Sequence, residues 1–304
     1  MKILILGNSN IFQRKIYFAL KNFKRLIIEV ASRNKIEKKF KINKKYLSYD
    51  EALKKTEAKI VYISLINSEH YKWAVKALNL KKHVIVDKPI TLDSNSTQKL
   101  IKLAHKKKLL LSESIVFQND LRFKKMMTKL DLNKPTQIYC KFHIPKLENN
   151  NFRNFKKFGG GCFEDMSPYA AYLINIFFKN KTYSIKTNKI YDKKALKSFK
   201  LQIKSKSIFF NASFSFNDEY KNEIYIHNKT KTYFIDYFLS PPIDKSLSLK
   251  IFDNIKLKKS TINFRKQNVF YPYFYELFKV LNKNKYSFSY EQINKISKIK
   301  NKIS

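Results

Sequence analysis

Glycine is nearly absent from the 304 residues: four in all, at Gly7 and in the run Gly159-Gly160-Gly161. A chain this poor in the residue with free access to positive φ should keep it where backbone geometry excludes a side chain. Cysteine is scarcer still, and Cys140 and Cys162 fall in segments of different expected type. That argues against a disulfide framework and against a paired-cysteine zinc site, and it fits free thiols in a reducing compartment. The five histidines show no ligand spacing, so no metal is expected. No stretch approaches the ~18 uninterrupted apolar residues of a membrane helix, and the apolar run 3–6 is too short for a secretory signal. A soluble, cytoplasmic protein with no membrane partner is expected. Arginine is the last scarcity, with six residues: Arg14, Arg25, Arg33, Arg122, Arg153 and Arg265.

Lysine fills the gap and brings the formal net charge to +40. Clustered cations gain affinity for nucleic acid by releasing phosphate counterions, but here lysines recur on nearly every expected element. The charge reads as a bias of the whole composition, with no nucleic-acid partner; a real preference for polyanions is the alternative. Hydrophobic residues make up 44% of the chain, enough to bury two cores.

Over the first ~115 residues, short apolar runs at 2–6, 26–31, 60–64, 83–87 and 109–112 alternate with helical patterns, the form of repeated βαβ units. Asp50 and Asp93 are placed to cap helices. After about residue 120, strands are expected at 136–144, 183–190, 199–204, 208–216, 223–227 and 232–238, with a helix over 165–178 and closing helices over 271–282 and 291–302. The expected fold class is α/β, with a Rossmann dinucleotide-binding domain over 1–118 and an α+β domain, built on a mostly antiparallel open sheet, over 119–304. The second would bind substrate and support oligomers.

Gly7 ends the first strand, where a Rossmann fold turns sharply and presents helix N-terminal N–H groups to a pyrophosphate. Against G-x-G-x-x-G the chain reads Gly7-Asn8-Ser9-Asn10-Ile11-Phe12. Ser9 is small and adds a hydroxyl donor; Phe12 is harder to fit where the third glycine permits close packing. A plain βα turn without ligand is the competing reading of this loop alone. The second strand ends in Ala31-Ser32-Arg33, and a cation there suits the 2′-phosphate of NADP, where an acidic residue would suit the ribose of NAD. NADP(H) is the expected cofactor and NAD(H) the alternative. The segment Lys81-Lys82-His83-Val84-Ile85-Val86-Asp87-Lys88-Pro89 is a short apolar strand ending in Asp-Lys-Pro. Ligands of open α/β sheets bind outside the carboxyl ends of strands, so Lys88 is placed to protonate or stabilise an alkoxide during hydride transfer.

These segments, with Val61-Tyr62-Ile63-Ser64-Leu65-Ile66-Asn67-Ser68-Glu69-His70 and Gly159-Gly160-Gly161-Cys162-Phe163-Glu164-Asp165-Met166-Ser167-Pro168-Tyr169, resemble the Gfo/Idh/MocA oxidoreductases in order along nearly the whole chain. The resemblance implies an enzyme acting on CH–OH groups, moving hydride between nicotinamide and a sugar-like carbonyl or alcohol, such as a keto-sugar or nucleotide-sugar of surface-polysaccharide synthesis. It implies Lys88, Tyr169 and Asp165 as catalytic residues, with Tyr169 where histidine is usual and Ser167 in place of glycine. It implies Gly7, Asn8, Ser9, Asn10, Ile11, Ser32, Arg33, Ser64, Asn67, His70, Asp87 and Lys88 at the cofactor, and Lys88, Arg153, Asp165 and Tyr169 at the substrate. Asp165 would accept from substrate hydroxyls or hold Lys88. If the helix already includes Asp165, the two second-domain residues share a face, and Pro168 places both near its start. A homodimer or homotetramer is expected. The alternative is an inactive dinucleotide or sugar sensor of the same fold.

Overall fold

The computed structural model describes residues 1–192 and 195–304. From the N-terminus it forms β1 (Lys2–Leu6), a π-helical turn over Phe12–Ile16 running into α1 (Tyr17–Leu20), β2 (Ile27–Ala31), β3 (Lys44–Tyr46), α2 (Tyr49–Lys55), β4 (Ile60–Ile63), α3 (His70–Asn79), β5 (His83–Asp87), α4 (Ser94–Lys106) and β6 (Leu111–Ser114). There follow α5 (Leu121–Met127), β7 (Thr136–Ile144), α6 (Cys162–Phe177), β8 (Ser184–Asp192), β9 (Ala195–Lys204), β10 (Ile208–Phe216), β11 (Lys221–Asn228), β12 (Lys231–Asp236), β13 (Leu247–Asp253) and β14 (Lys258–Phe264). Two helices close the chain, α7 (Phe270–Lys283) and α8 (Ser287–Ile303).

Two compact units result: Met1–Ile115 with Phe270–Ser297, and Val116–Val269 with Lys298–Ser304. A single domain was expected over 119–304; the compact units instead group Phe270–Ser297 with the first.

The first unit is the expected parallel sheet, in the order β3-β2-β1-β4-β5-β6 with every pairing parallel. Its inner strands are near-continuous apolar runs, as strands covered on both faces must be; Ile60–Ile63 is buried throughout. The order reverses between β1 and β4, and the crevice outside the carboxyl ends at that point is where such sheets bind ligands. Asp93 caps α4 as expected, accepting from Ser96 N–H at 2.8 Å. At α2 the cap is Ser48, with Asp50 in the first turn, bonded to Lys76.

The closing helices protect the open edge of this sheet, which would otherwise offer an unpaired strand to other chains. Along β6, the Ser289 hydroxyl donates to the Leu111 carbonyl, and the Tyr273 and Ser112 hydroxyls pair at 2.8 Å. Beside the strand, Tyr290 donates to the carbonyl of Leu109. Phe274 is fully buried, 5.8 Å from the ring of Tyr62, and Tyr271 stacks on Phe23 at 4.7 Å. A fully buried ring such as Phe274 contributes about 1.5–3 kcal/mol by leaving water.

The second unit is an eight-stranded sheet, β14-β13-β12-β11-β7-β10-β9-β8, antiparallel except where β10 pairs with β7. Helix α6 covers one face through Phe163 on Phe199 and Phe177 on Phe210, at 5.2 and 6.2 Å. It starts at Cys162, earlier than the expected 165, so Pro168 lies inside the helix and not in its first turn. Strands β3, β13 and β14 were not expected.

At the base of this unit Arg122 is fully buried and engages all five of its guanidinium protons. Nε and one Nη bind Asp120, itself fully buried, while the remaining donors reach Asp236 and the carbonyls of Asp236 and Tyr237. Breaking a buried ion pair from one side leaves an uncompensated charge and costs about 3–5 kcal/mol. Arg122→Met is therefore expected to lower the unfolding free energy read from urea titration by that amount, and Arg122→Lys, which keeps the charge but not the fork, by less. Loss of under about 1 kcal/mol in Arg122→Met would refute this role.

Candidate active site

The turn after β1 is set by one close approach. Gly7 holds φ +106°, and a Cβ there would lie 2.2 Å from the Ser64 carbonyl oxygen at the end of β4. Only glycine permits this geometry, which draws the β1 loop against the β4 exit. Asn10 and Ile11 open the helical turn. Phe12, expected to be hard to accommodate, is fully buried and packs on Phe40 and Tyr17 at 6.1 and 6.2 Å; the helix takes up its bulk by starting as a π turn.

Ser9 was expected to offer its hydroxyl to phosphate, but the proton inventory directs it inward. Asp87, at the end of β5, accepts from the hydroxyls of Ser64 and Tyr62. Ser64 spends its only proton there, so at the 2.6 Å contact between Ser9 and Ser64 the donor is Ser9. The Ser9 oxygen in turn accepts from Phe12 N–H at 3.1 Å. A one-way chain thus runs from the first helix through Ser9 and Ser64 to Asp87, and leaves the backbone of the loop, not this hydroxyl, to meet an anion. Burial pushes the Asp87 carboxyl up from its ordinary value, against the hydrogen bonds from Ser64 and Tyr62 that favour its charged form; burial beside Asp87 holds the Tyr62 phenol well above its own.

Lys88 follows Asp87 directly and is half-buried outside the carboxyl end of β5. The Asn8 amide donates to the Lys35 carbonyl at 3.2 Å, which brings the β1 loop beside the segment containing Ser32 and Arg33. The Asn8 Oδ1 is buried with no hydrogen-bond partner among the described residues, so an acceptor waits where a ligand donor would sit. Ser32 is buried and caps the N–H of Asn34; Arg33 is exposed, its guanidinium 5.5 Å over the Tyr49 ring. The acidic residue of β2, Glu29, faces inward and accepts from Tyr46 and Thr56. Asn67 is buried in the turn that precedes α3. His70, expected at the cofactor, is fully buried with both ring nitrogens on backbone carbonyls, and has no donor left for a ligand.

In the second unit, Gly160 lets the chain fold over Arg153, since a Cβ there would lie 2.5 Å from the Arg153 carbonyl oxygen. The same turn directs Arg153 Nε to Asp165 Oδ1 at 3.1 Å, in an ion pair whose carboxylate is nearly buried. Asp165 thus has an arginine partner that the sequence did not suggest. Tyr169 lies four residues further along α6, half-buried, edge-on to Phe142 at 5.4 Å.

Residues 1–114 match the model of an oxidoreductase family with an NAD-binding Rossmann fold, GFO_IDH_MocA. Over 128 residues the chain is 30% identical to dTDP-3,4-didehydro-2,6-dideoxy-alpha-D-glucose 3-reductase of Saccharopolyspora spinosa, covering 41% of this chain and 39% of that one. The whole fold is similar to that of KijD10, a 3-ketoreductase from Actinomadura kijaniata solved with NADP and TDP-benzene, at TM-score 0.88 and 17% identity over 98% of this chain and 95% of that one. It also resembles UDP-N-acetylglucosamine 3-dehydrogenase GnnA from Acidithiobacillus ferrooxidans, at TM-score 0.76 and 12% identity over 100% and 96%. The chain spans about two-fifths of the length of the Saccharopolyspora relative in the sequence alignment.

Within the first unit, then, the structure gathers Gly7, Asn8, Ser9, Ser64, Asp87 and Lys88 at one sheet edge. It adds Tyr62 and Ser114, whose hydroxyls meet at 2.9 Å under Asp87 and which the sequence reading missed. A tyrosine inside a fully buried strand was the available signal, because its hydroxyl must find a partner there. If Ser9 works inward, Ser9→Gly will not improve the loop, although it restores the glycine of G-x-G-x-x-G. It is expected to cost about 1–3 kcal/mol from the unpaired Phe12 N–H and Ser64 oxygen, read as a lower melting temperature, with weaker NADPH binding by fluorescence titration. A variant as stable as the parent would show that the chain carries no weight.

Proposed function

We propose that the protein is an NADP(H)-dependent oxidoreductase acting on a keto or hydroxyl carbon of a sugar, with a nucleotide-sugar as the preferred substrate class. The observation that carries this reading is the placement of Lys88, half-buried at the carboxyl end of β5 directly after Asp87. The residues present fit a dinucleotide: Gly7 draws the β1 loop against the β4 exit, Asn8 Oδ1 is a buried acceptor without a partner among the described residues, and Arg33 stands exposed just beyond β2, whose one acidic residue, Glu29, is turned inward. When bound, the nicotinamide supplies or accepts the hydride. Lys88 delivers the proton to the substrate oxygen in reduction and removes it in oxidation. Tyr169 and Asp165 are the proposed contributions of the second unit, Tyr169 sharing the proton and Asp165, with Arg153, binding substrate. Their assignment rests on the resemblance of the 159–169 segment to the family.

Arg33 is proposed to bind the 2′-phosphate. Arg33→Ala is expected to weaken NADPH binding about 10- to 100-fold, the worth of a charge-assisted hydrogen bond, and to leave NADH binding within about twofold. Equal losses for both would remove the NADP assignment. Lys88→Ala is expected to reduce NADPH oxidation with dTDP- or UDP-keto-sugars about 10²- to 10⁴-fold while NADPH still binds. Tight NADPH binding with no turnover by the parent on that panel would favour a sensor instead.

We also propose a homodimer or homotetramer formed through the sheet face opposite α6, where Tyr139, Phe209 and Tyr225 are each about two-fifths exposed and Tyr225 packs on Phe234 at 4.4 Å. Tyr225→Lys is expected to shift the sedimentation coefficient to that of a monomer; an unchanged value would move the interface elsewhere.

A further inference from the structure

His70 opens α3 and is fully buried, with Nδ1 2.7 Å from the carbonyl oxygen of Pro89 and Nε2 3.0 Å from that of Leu65. Leu65 is the second residue beyond β4, and Pro89 directly follows Lys88. A carbonyl only accepts, and a neutral imidazole has one N–H, so it can serve one of these two oxygens. The imidazolium serves both. No other histidine with a described ring places both nitrogens on backbone carbonyls: Nε2 of His143 meets the Ser213 hydroxyl and Nδ1 of His227 the Thr232 hydroxyl.

We propose that His70 is the positioning residue for Lys88: as an imidazolium it clasps the chain leaving β4 to the chain leaving β5, and so fixes the turn that presents the lysine. The inference rests on the assignment of Lys88 as acid/base and deepens it. Loss of the ring proton frees one carbonyl, Leu65 at the longer contact, and loosens the turn from one side. The charged groups facing the ring are Asp87, which favours the imidazolium, and Lys88, which opposes it; the two carbonyls favour it as well. Burial outweighs them and moves the titration below the ordinary histidine range. The clasp therefore closes only at pH values below the ordinary histidine range and is half-made at neutral pH.

The test begins with ¹⁵N NMR of the intact protein with labelled histidine. The His70 ring, assigned by its loss in His70→Gln, is expected to show both nitrogens protonated at the acid end of the stability range and one at neutral pH. One unprotonated nitrogen throughout would overturn the clasp. In kinetics, His70→Ala is expected to lower kcat at least tenfold with KM and NADPH affinity within about twofold, and added imidazole to restore part of kcat. His70→Gln, whose amide serves one carbonyl at all pH values, is expected to lose the change in kcat that the parent shows as the ring titrates. Parent-like kcat in His70→Ala, or equal loss of NADPH affinity, would overturn the positioning role. Should His70→Ala not fold, the NMR and His70→Gln carry the test. If Lys88→Ala retains turnover while both ring nitrogens are seen protonated, the Lys88 assignment fails and the clasp stands.

Discussion

The backbone of Gly7 lies so close to the end of β4 that a single added carbon would collide with the Ser64 carbonyl. Much at this edge of the sheet follows from that approach. It sets the β1 loop where Ser9 can reach Ser64, and Ser64 spans on to Asp87, so three strand ends become one hydrogen-bonded unit. Because each hydroxyl carries one proton, the chain has a fixed direction and ends on the Asp87 carboxylate. The lysine that follows that carboxylate takes its place from the end of the strand.

Much of this frame was legible in the sequence. The bounds of β1, β5, β7 and β10 coincide with their apolar or alternating runs, and the scarcity of glycine pointed to both loops where the chain needs it. Of the strands that went unread, β3 is three residues long with two exposed lysines and β14 is mostly exposed, so hydrophobic period could not mark them; β13, where Leu247, Leu249 and Ile251 alternate with polar residues, did carry that period. The helix at Cys162 begins a turn before its polar signal because Gly161, not a side-chain cap, starts it.

The site was legible in its members and not in their relations. Ser9, Ser64 and Asp87 were each expected to face a ligand, yet they spend their hydrogen bonds on one another across 55 and 23 residues of chain. Such pairings arise only when strand order is known. Composition held a quieter signal: in a chain that replaces arginine almost everywhere by lysine, Arg122 and Arg153 survive where a planar fork meets a buried carboxylate, a task a point charge performs poorly.

The return of Phe270–Ser297 to the first unit has a consequence for how the molecule is made. The six parallel strands are complete by residue 114, but the aromatic side chains and hydroxyls that shield Tyr62 and the β6 edge lie more than 150 residues later. On the ribosome the N-terminal sheet must wait, its edge unguarded, while Val116–Val269 of the second unit are synthesised. Long-range closure of this kind slows folding and exposes strand edges to other chains. Lys106 at the end of α4 and Lys107 and Lys108 in the turn after it stand just ahead of β6, and their charge would keep nascent copies apart until the closing helices arrive.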